Sequence, residues 1–225
     1  MSMTKSSESA AGPADQPTAN PAERPVRSVR AAGKARSRRR LIEAAKRLIM
    51  ERGYEGATVR DIAARAGLST GAVFASFNDK AELFDEVLTA DCEAQVAAMQ
   101  AAAAGIGTVQ ERLLRVLSAG VAFHLAQPQL LRAALSVSWS RGLSGEFGDR
   151  PVRDAASGMI RQVLDAGVAA GELGPGLDRD LAADMLWDCY VGNYRRALFG
   201  GWDLDRLTGR MRAQIGVLLA AYAAA

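Results

Sequence analysis

Large apolar residues are scarce through the first 35 positions and then recur at helical spacing. In "ARSRRRLIEAAKRLIMERGY", Leu41, Ala45, Leu48 and Ile49 fall on one face of a helix, and Gly53 supplies its stop. A second helix is predicted in "GATVRDIAARAGLS". Thr58 is a good N-cap, and Asp61 stands three residues on, a capping-box spacing with Asp in place of Glu. Val59, Ile62, Ala63 and Ala66 make its apolar face, and Gly67 fits the left-handed residue that ends it. Ser69 then caps a short helix over "TGAVFASF", with Val73 and Phe77 on its core side. Asp79 and Glu82 repeat the capping spacing ahead of "KAELFDEVLTADCEAQVAAMQ".

Two helices joined by the tight turn "AGLS", with the small residues Ala63 and Gly67 where they cross, have the pattern of a helix-turn-helix. The remainder is broken by "AAAAGIGT", "QPQ", "RGLSGEFGDRP", "GELGPGLD" and "FGGWD" into helices near 108–126, 128–140, 151–170, 178–198 and 203–223. There is no period-2 alternation between hairpin turns and no repeat at solenoid periods. The predicted fold is all-α: an arm over 1–35, a helix-turn-helix domain over 36–84 and a helical domain over 85–225. Ser, Pro, Ala and Gly dominate the arm, which buries too little to offset ordering entropy and is read as disordered.

Charge sharpens this division. Residues 1–40 hold nine Lys/Arg against three Asp/Glu, whereas the rest of the chain is close to neutral. A basic arm beside a neutral body reads either as a polyanion footprint or as a solvated tail. Other chemistry is thin. Cys92 and Cys189 have no ligand spacing and are read as free thiols, so no metal site and no cofactor is expected. The N-terminal stretch has no apolar signal region, and no run approaches a membrane span, so a cytoplasmic location is expected. HExxH and GxxxxGK[ST] patterns are missing and His124 is the one histidine, which argues against an enzyme.

Residues 37–88 resemble the DNA-binding domain of the TetR (tetracycline repressor) family of transcriptional regulators. The resemblance rests on the first helix, on "GYEGATVRDIAARAGLSTGAVFASF" and on the following "DKAEL". It implies a homodimer whose subunits each carry a DNA-binding head on a helical effector-binding and dimerisation body. Most such proteins are repressors released from operator DNA by a small ligand. The second helix of a helix-turn-helix enters the major groove by its N-terminal residues, which are Ser69, Thr70, Gly71 and Ala72, with Phe74 and Ser76 further along. No Arg, Lys, Asn or Gln stands between Ser69 and Phe77, so Arg60 is the nearest candidate base or phosphate reader. Thr58 is expected to offer a helix start to phosphate, and Lys80 matches the family's phosphate-binding lysine. The family often has tyrosine where this chain has Phe74, and histidine or tyrosine where it has Ser76. Arg27, Arg30, Lys34, Arg36, Arg38, Arg39 and Arg40 are expected to follow the DNA backbone or enter the minor groove.

In the body, "DLAADMLWDCYVGNYRRALFGGW" and "DLDRLTGRMRAQIGVLLAAYAAA" are expected to form the dimer interface. Phe123, His124, Trp139, Met159, Trp187, Tyr190, Asn193 and Tyr194 are the candidate effector-pocket residues, and their low charge favours a largely apolar effector. Two other readings stay open: a constitutive DNA-binding protein without an effector, and a helical enzyme.

Overall fold

The computed structural model describes residues 23–140 and 150–222, and of these the side chains of 23–30, 137–140 and 150–152 are outside the description. Nine helices and no strand occur among the described residues: α1 (Glu23–Gly56), α2 (Val59–Ala66), α3 (Thr70–Phe74), α4 (Lys80–Ala103), α5 (Val109–Leu125), α6 (Pro128–Ser140), α7 (Arg150–Ala169), α8 (Arg179–Gly200) and α9 (Leu204–Ala220).

Over 23–35, where the sequence suggested disorder, the chain forms the beginning of α1. The helix is already formed at Glu23, and 1–22 lie outside the described residues. Alanine and arginine are strong helix formers, and the segment extends a helix whose nucleus is held by tertiary packing. Pro25 falls in the first turn, where its missing N–H has no helical partner to lose. At the other end Gly53 leaves helical geometry with φ 75° and ψ 172°, as the expected stop requires.

The caps of the head follow the sequence in part. Gly67 is left-handed at φ 62°, and the Leu68 N–H returns to the Ala63 carbonyl at 2.9 Å, which closes α2. Thr58 Oγ1 accepts from the Asp61 N–H, Ser69 Oγ from that of Ala72, and Asp79 Oδ1 from that of Glu82. The return bonds differ from a capping box. Asp61 takes the Thr58 hydroxyl at 2.7 Å, because the short Asp side chain stays close to the cap. Glu82 instead accepts the Asn78 N–H, one residue before its cap. The complete box belongs to Thr108 and Glu111, at the start of α5. The third helix is shorter than its apolar pattern. Ala75–Phe77 finish it as a turn, with Ser76 and Phe77 both donating to the Val73 carbonyl.

Two apolar cores result. Leu41, Leu48, Ile62, Val73, Phe77 and Phe84 pack in the head, joined by Leu130 and Ala133 of α6. Met99, Leu113, Leu117, Ile160, Leu186 and Met211 are among those packed in the body. Helix α4 contributes to both. Close approach of α5 to α8 depends on Gly120: a Cβ there would strike the Tyr190 hydroxyl and come within 3.0 Å of Met99 Sδ.

Candidate nucleic-acid interface

Helix α3 is anchored by one side and open on the other. Val73 and Phe77 are buried in the head core, while Ser69, Thr70, Gly71, Phe74 and Ala75 are exposed. Phe74 is 59% exposed, an unusual place for an aromatic ring with no packing partner to shield it. Ala72 and Ser76 are half-buried. The outward face is therefore a row of small residues ending in one bare ring.

The basic residues before this helix divide into two groups. Arg38 stacks on the Phe77 ring at 4.3 Å, donates to the Ser76 carbonyl at 2.6 Å and pairs with Glu86 at 2.8 Å. Arg40 donates to the Ala66 carbonyl at the end of α2. Both tie α1 to the helix-turn-helix, so Arg38 is occupied within the protein, contrary to its expected place among DNA contacts. Arg36, Arg39 and Arg60 are exposed and form no ion pair among the described residues. Lys80 stands at the start of α4 with Nζ 4.2 Å from the centre of the Tyr54 ring, which fixes its stem. Thr58 is exposed, but its hydroxyl is engaged by Asp61, a carboxylate that would repel a phosphate.

In the body the structure gathers only some of the candidate pocket residues. His124 Nδ1 lies 2.6 Å from the Tyr194 hydroxyl, which contacts that of Tyr190. Trp187 tilts over Tyr190 with centroids 5.3 Å apart, and Phe123 meets His124 edge-on at 5.7 Å. Asn193 is fully buried and donates to Gln214 of α9 at 2.9 Å, which makes it a tie between α8 and α9. Met159 belongs to the body core and borders an open groove of about 390 Å³ between α4 and α7, alongside Gln100 and Gln162. The Trp139 side chain is outside the described residues.

Sequence reasoning missed Asp91 and Gln95, both buried, and their partners Lys46 and Gln127. A signal was present. The stripe Phe84, Val87, Asp91, Gln95, Met99 has helical spacing, with two polar residues interrupting an otherwise apolar line.

The environment of this cluster keeps it uncharged at its centre. Burial lowers the His124 pKa to about 4; nearby Asp91 pulls it up and Lys46 pushes it further down, but lost hydration dominates. Burial raises the pKa of both tyrosines. An unfolded histidine takes its proton near pH 6.5 and the folded one only near 4, so the unfolded state binds more protons in that window. Stability is expected to fall as pH drops from about 6.5 to 4 and to level off below. Urea unfolding should show wild type losing about 3 kcal/mol more than His124→Gln across that range. Parallel pH profiles would contradict a buried neutral histidine.

Against known proteins, the sequence profile described as "Bacterial regulatory proteins, tetR family" matches residues 41–87. The HTH-type transcriptional repressor AcnR of Corynebacterium efficiens is 50% identical over 48 residues, 21% of this chain and 26% of AcnR. The match therefore spans about a quarter of that relative. The HTH-type transcriptional repressor KstR2 of Mycobacterium tuberculosis is 30% identical over 163 residues, covering 71% of this chain and 80% of KstR2. The regulator FadR from Bacillus subtilis, solved with stearoyl-CoA, shares the fold with a TM-score of 0.64 at 20% identity, over 80% of this chain and 97% of FadR. A helix-turn-helix head joined to a helical body by α4 defines a DNA-binding transcriptional regulator. The chain belongs to the tetR family of bacterial regulatory proteins.

Proposed function

We propose that the protein is a cytoplasmic repressor that binds a two-fold operator as a homodimer and leaves it when a small, largely apolar molecule enters the body. The observation that carries this is the open face of α3, anchored by Val73 and Phe77, with Thr70, Gly71 and Phe74 exposed among the described residues. Small residues let this helix approach the major groove closely, with Thr70 the one side chain able to hydrogen-bond a base edge or offer a methyl group to thymine. Arg39, Arg60 and Lys80 supply phosphate contacts around it, with Ser69 as both cap and neighbour of the backbone. Thr58 would contact phosphate only if its hydroxyl turned away from Asp61.

The basic arm is a helix from Glu23, so we place it along the phosphate backbone; a helix does not fit a minor groove about 6 Å wide. We place the dimer contact on the outer face of α8, where Leu181, Met185, Asp188, Gly192, Arg195 and Phe199 follow one another at helical spacing. A largely apolar effector is consistent with FadR, a protein of the same fold solved with stearoyl-CoA. The single histidine sits between a tyrosine and a carboxylate inside the body, which gives no reason to add a reaction to the regulator.

The test is fluorescence anisotropy with DNA upstream of the protein's own gene, followed by addition of apolar molecules found by thermal shift, with long-chain acyl-CoA as the first probe. A protected two-fold site and its release by a stabilising compound are expected. Specific binding that no stabilising compound alters would leave a constitutive DNA-binding protein.

A further inference from the structure

The two cores are separated by a polar seam. The buried stripe of α4 is apolar at each end, with Phe84 and Val87 in the head core and Met99 in the body core. Asp91 and Gln95 lie between, 4% and 2% exposed. Asp91 Oδ1 accepts from Lys46 Nζ of α1 at 2.7 Å and from Gln127 Nε2, between α5 and α6, at 3.3 Å. Its other oxygen is 3.9 Å from His124 Nε2. Beyond His124 come Tyr194 and Tyr190 of α8, and Gln95 Nε2 donates to both, at 3.3 and 2.7 Å.

The hydroxyls have a direction: Tyr194 donates to Tyr190, which leaves the His124 Nδ1–H to donate to Tyr194. His124 Nε2 then faces Asp91 at 3.9 Å, a polar contact longer than a hydrogen bond. The arrangement is a row of polar contacts from the interior of the body to the carboxylate that holds Lys46. Lys46 is itself fixed in the head, between the buried Ala44, Ala45 and Leu48.

Apolar contact is non-directional, whereas charged hydrogen bonds demand geometry. The angle between head and body is therefore set more narrowly by this seam than by the two cores. We propose that Asp91 is a positioning residue for operator binding, and that the Tyr190–Tyr194–His124 chain reports the state of the body's interior to the head through it and Lys46. A ligand whose oxygen or nitrogen competes for the Tyr194 hydroxyl would withdraw His124 from Asp91 and loosen the hold on Lys46. This rests on the reading of the protein as a ligand-responsive repressor.

Lys46→Met and Tyr194→Phe test the chain, because the two side chains do not touch. In anisotropy titrations of the full chain with operator DNA, each is expected to weaken binding about tenfold. The double variant is expected to be little worse than either, a departure from additivity of at least about fivefold, since both cuts open one chain. Asp91→Asn should match Lys46→Met. Additive losses, or a lowered Tm with operator affinity unchanged, would overturn the proposal. A second measurement needs no DNA. Amide exchange over residues 44–49 is expected to speed up about tenfold in Tyr194→Phe, a change within the range of local opening. Unchanged exchange there would also overturn it. A wild type that binds no operator would defeat the repressor reading alone, and the exchange measurement would still decide the chain.

Discussion

Replacing Arg27, Arg30 and Lys34 with glutamine is expected to weaken operator binding about 500-fold for each subunit of the dimer at 0.1 M salt and to leave it nearly unchanged at 1 M. The three positions share a register with Arg38, at spacings of three and four along α1. Arg38 faces the end of the recognition helix, where it meets the Ser76 carbonyl and the Phe77 ring. In helical register these positions continue the row that carries Arg38, and the row reaches about 16 Å beyond it at 1.5 Å per residue. Each phosphate neutralised contributes about 0.9 to the slope of log affinity against log salt. Losing three from each subunit should flatten that slope by about 2.7 per subunit, about 5.4 for the dimer, which over one decade of salt is the factor above for each subunit. Glutamine keeps the helix propensity close to that of arginine, so the effect is electrostatic rather than structural. An unchanged slope would return the arm to a solubilising role. An affinity loss equal at both salts would point to damaged folding of the head.

The contrast between arm and head shows what the sequence could reveal. Thr58, Gly67, Ser69 and Asp79 act on their own neighbours within four residues, and each ends or starts a helix where local chemistry places it. Val73 and Phe77 are buried as their spacing implies. The arm misled because Pro, Ser and Gly in its first part suggested coil throughout, while its second part extends a helix anchored at Leu41. Arg38 was indistinguishable in sequence from Arg39. Only the placement of Phe77, Ser76 and Glu86, residues from two later helices, separates an internal clamp from an exposed cation. The seam was harder still. Asp91 and Gln95 are buried because α1, α5 and α8 converge on α4, and Gln95 meets a tyrosine 95 positions away. Polar residues on an apolar stripe signal such a site without naming the partners that satisfy them.

Reversing one charge on α8 is expected to break the dimer, and reversing its counterpart as well to restore it. Around Gly192, Met185 and Phe199 stand seven residues before and after, with Asp188 and Arg195 between them. An antiparallel α8 pair crossing at Gly192 would set Met185 against Phe199 of the second copy and Asp188 near Arg195 of the second copy, each contact made twice. Phe199 is 72% exposed in the single chain, and Asp188 and Arg195 form no ion pair among the described residues. Glycine at the crossing permits close approach of the two backbones. Asp188→Arg puts like charges together twice; at about 2 kcal/mol for each, the dimer Kd should rise about 1,000-fold. Arg195→Asp should do the same, and the double variant should recover most of the loss. Sedimentation equilibrium measures the dimer directly. Operator binding should follow it, because a single short recognition helix reads too few base pairs to hold a site alone. Single variants that remain dimeric at nanomolar concentration would move the interface off this face. A double variant as weak as the singles would keep the face but reject the antiparallel register.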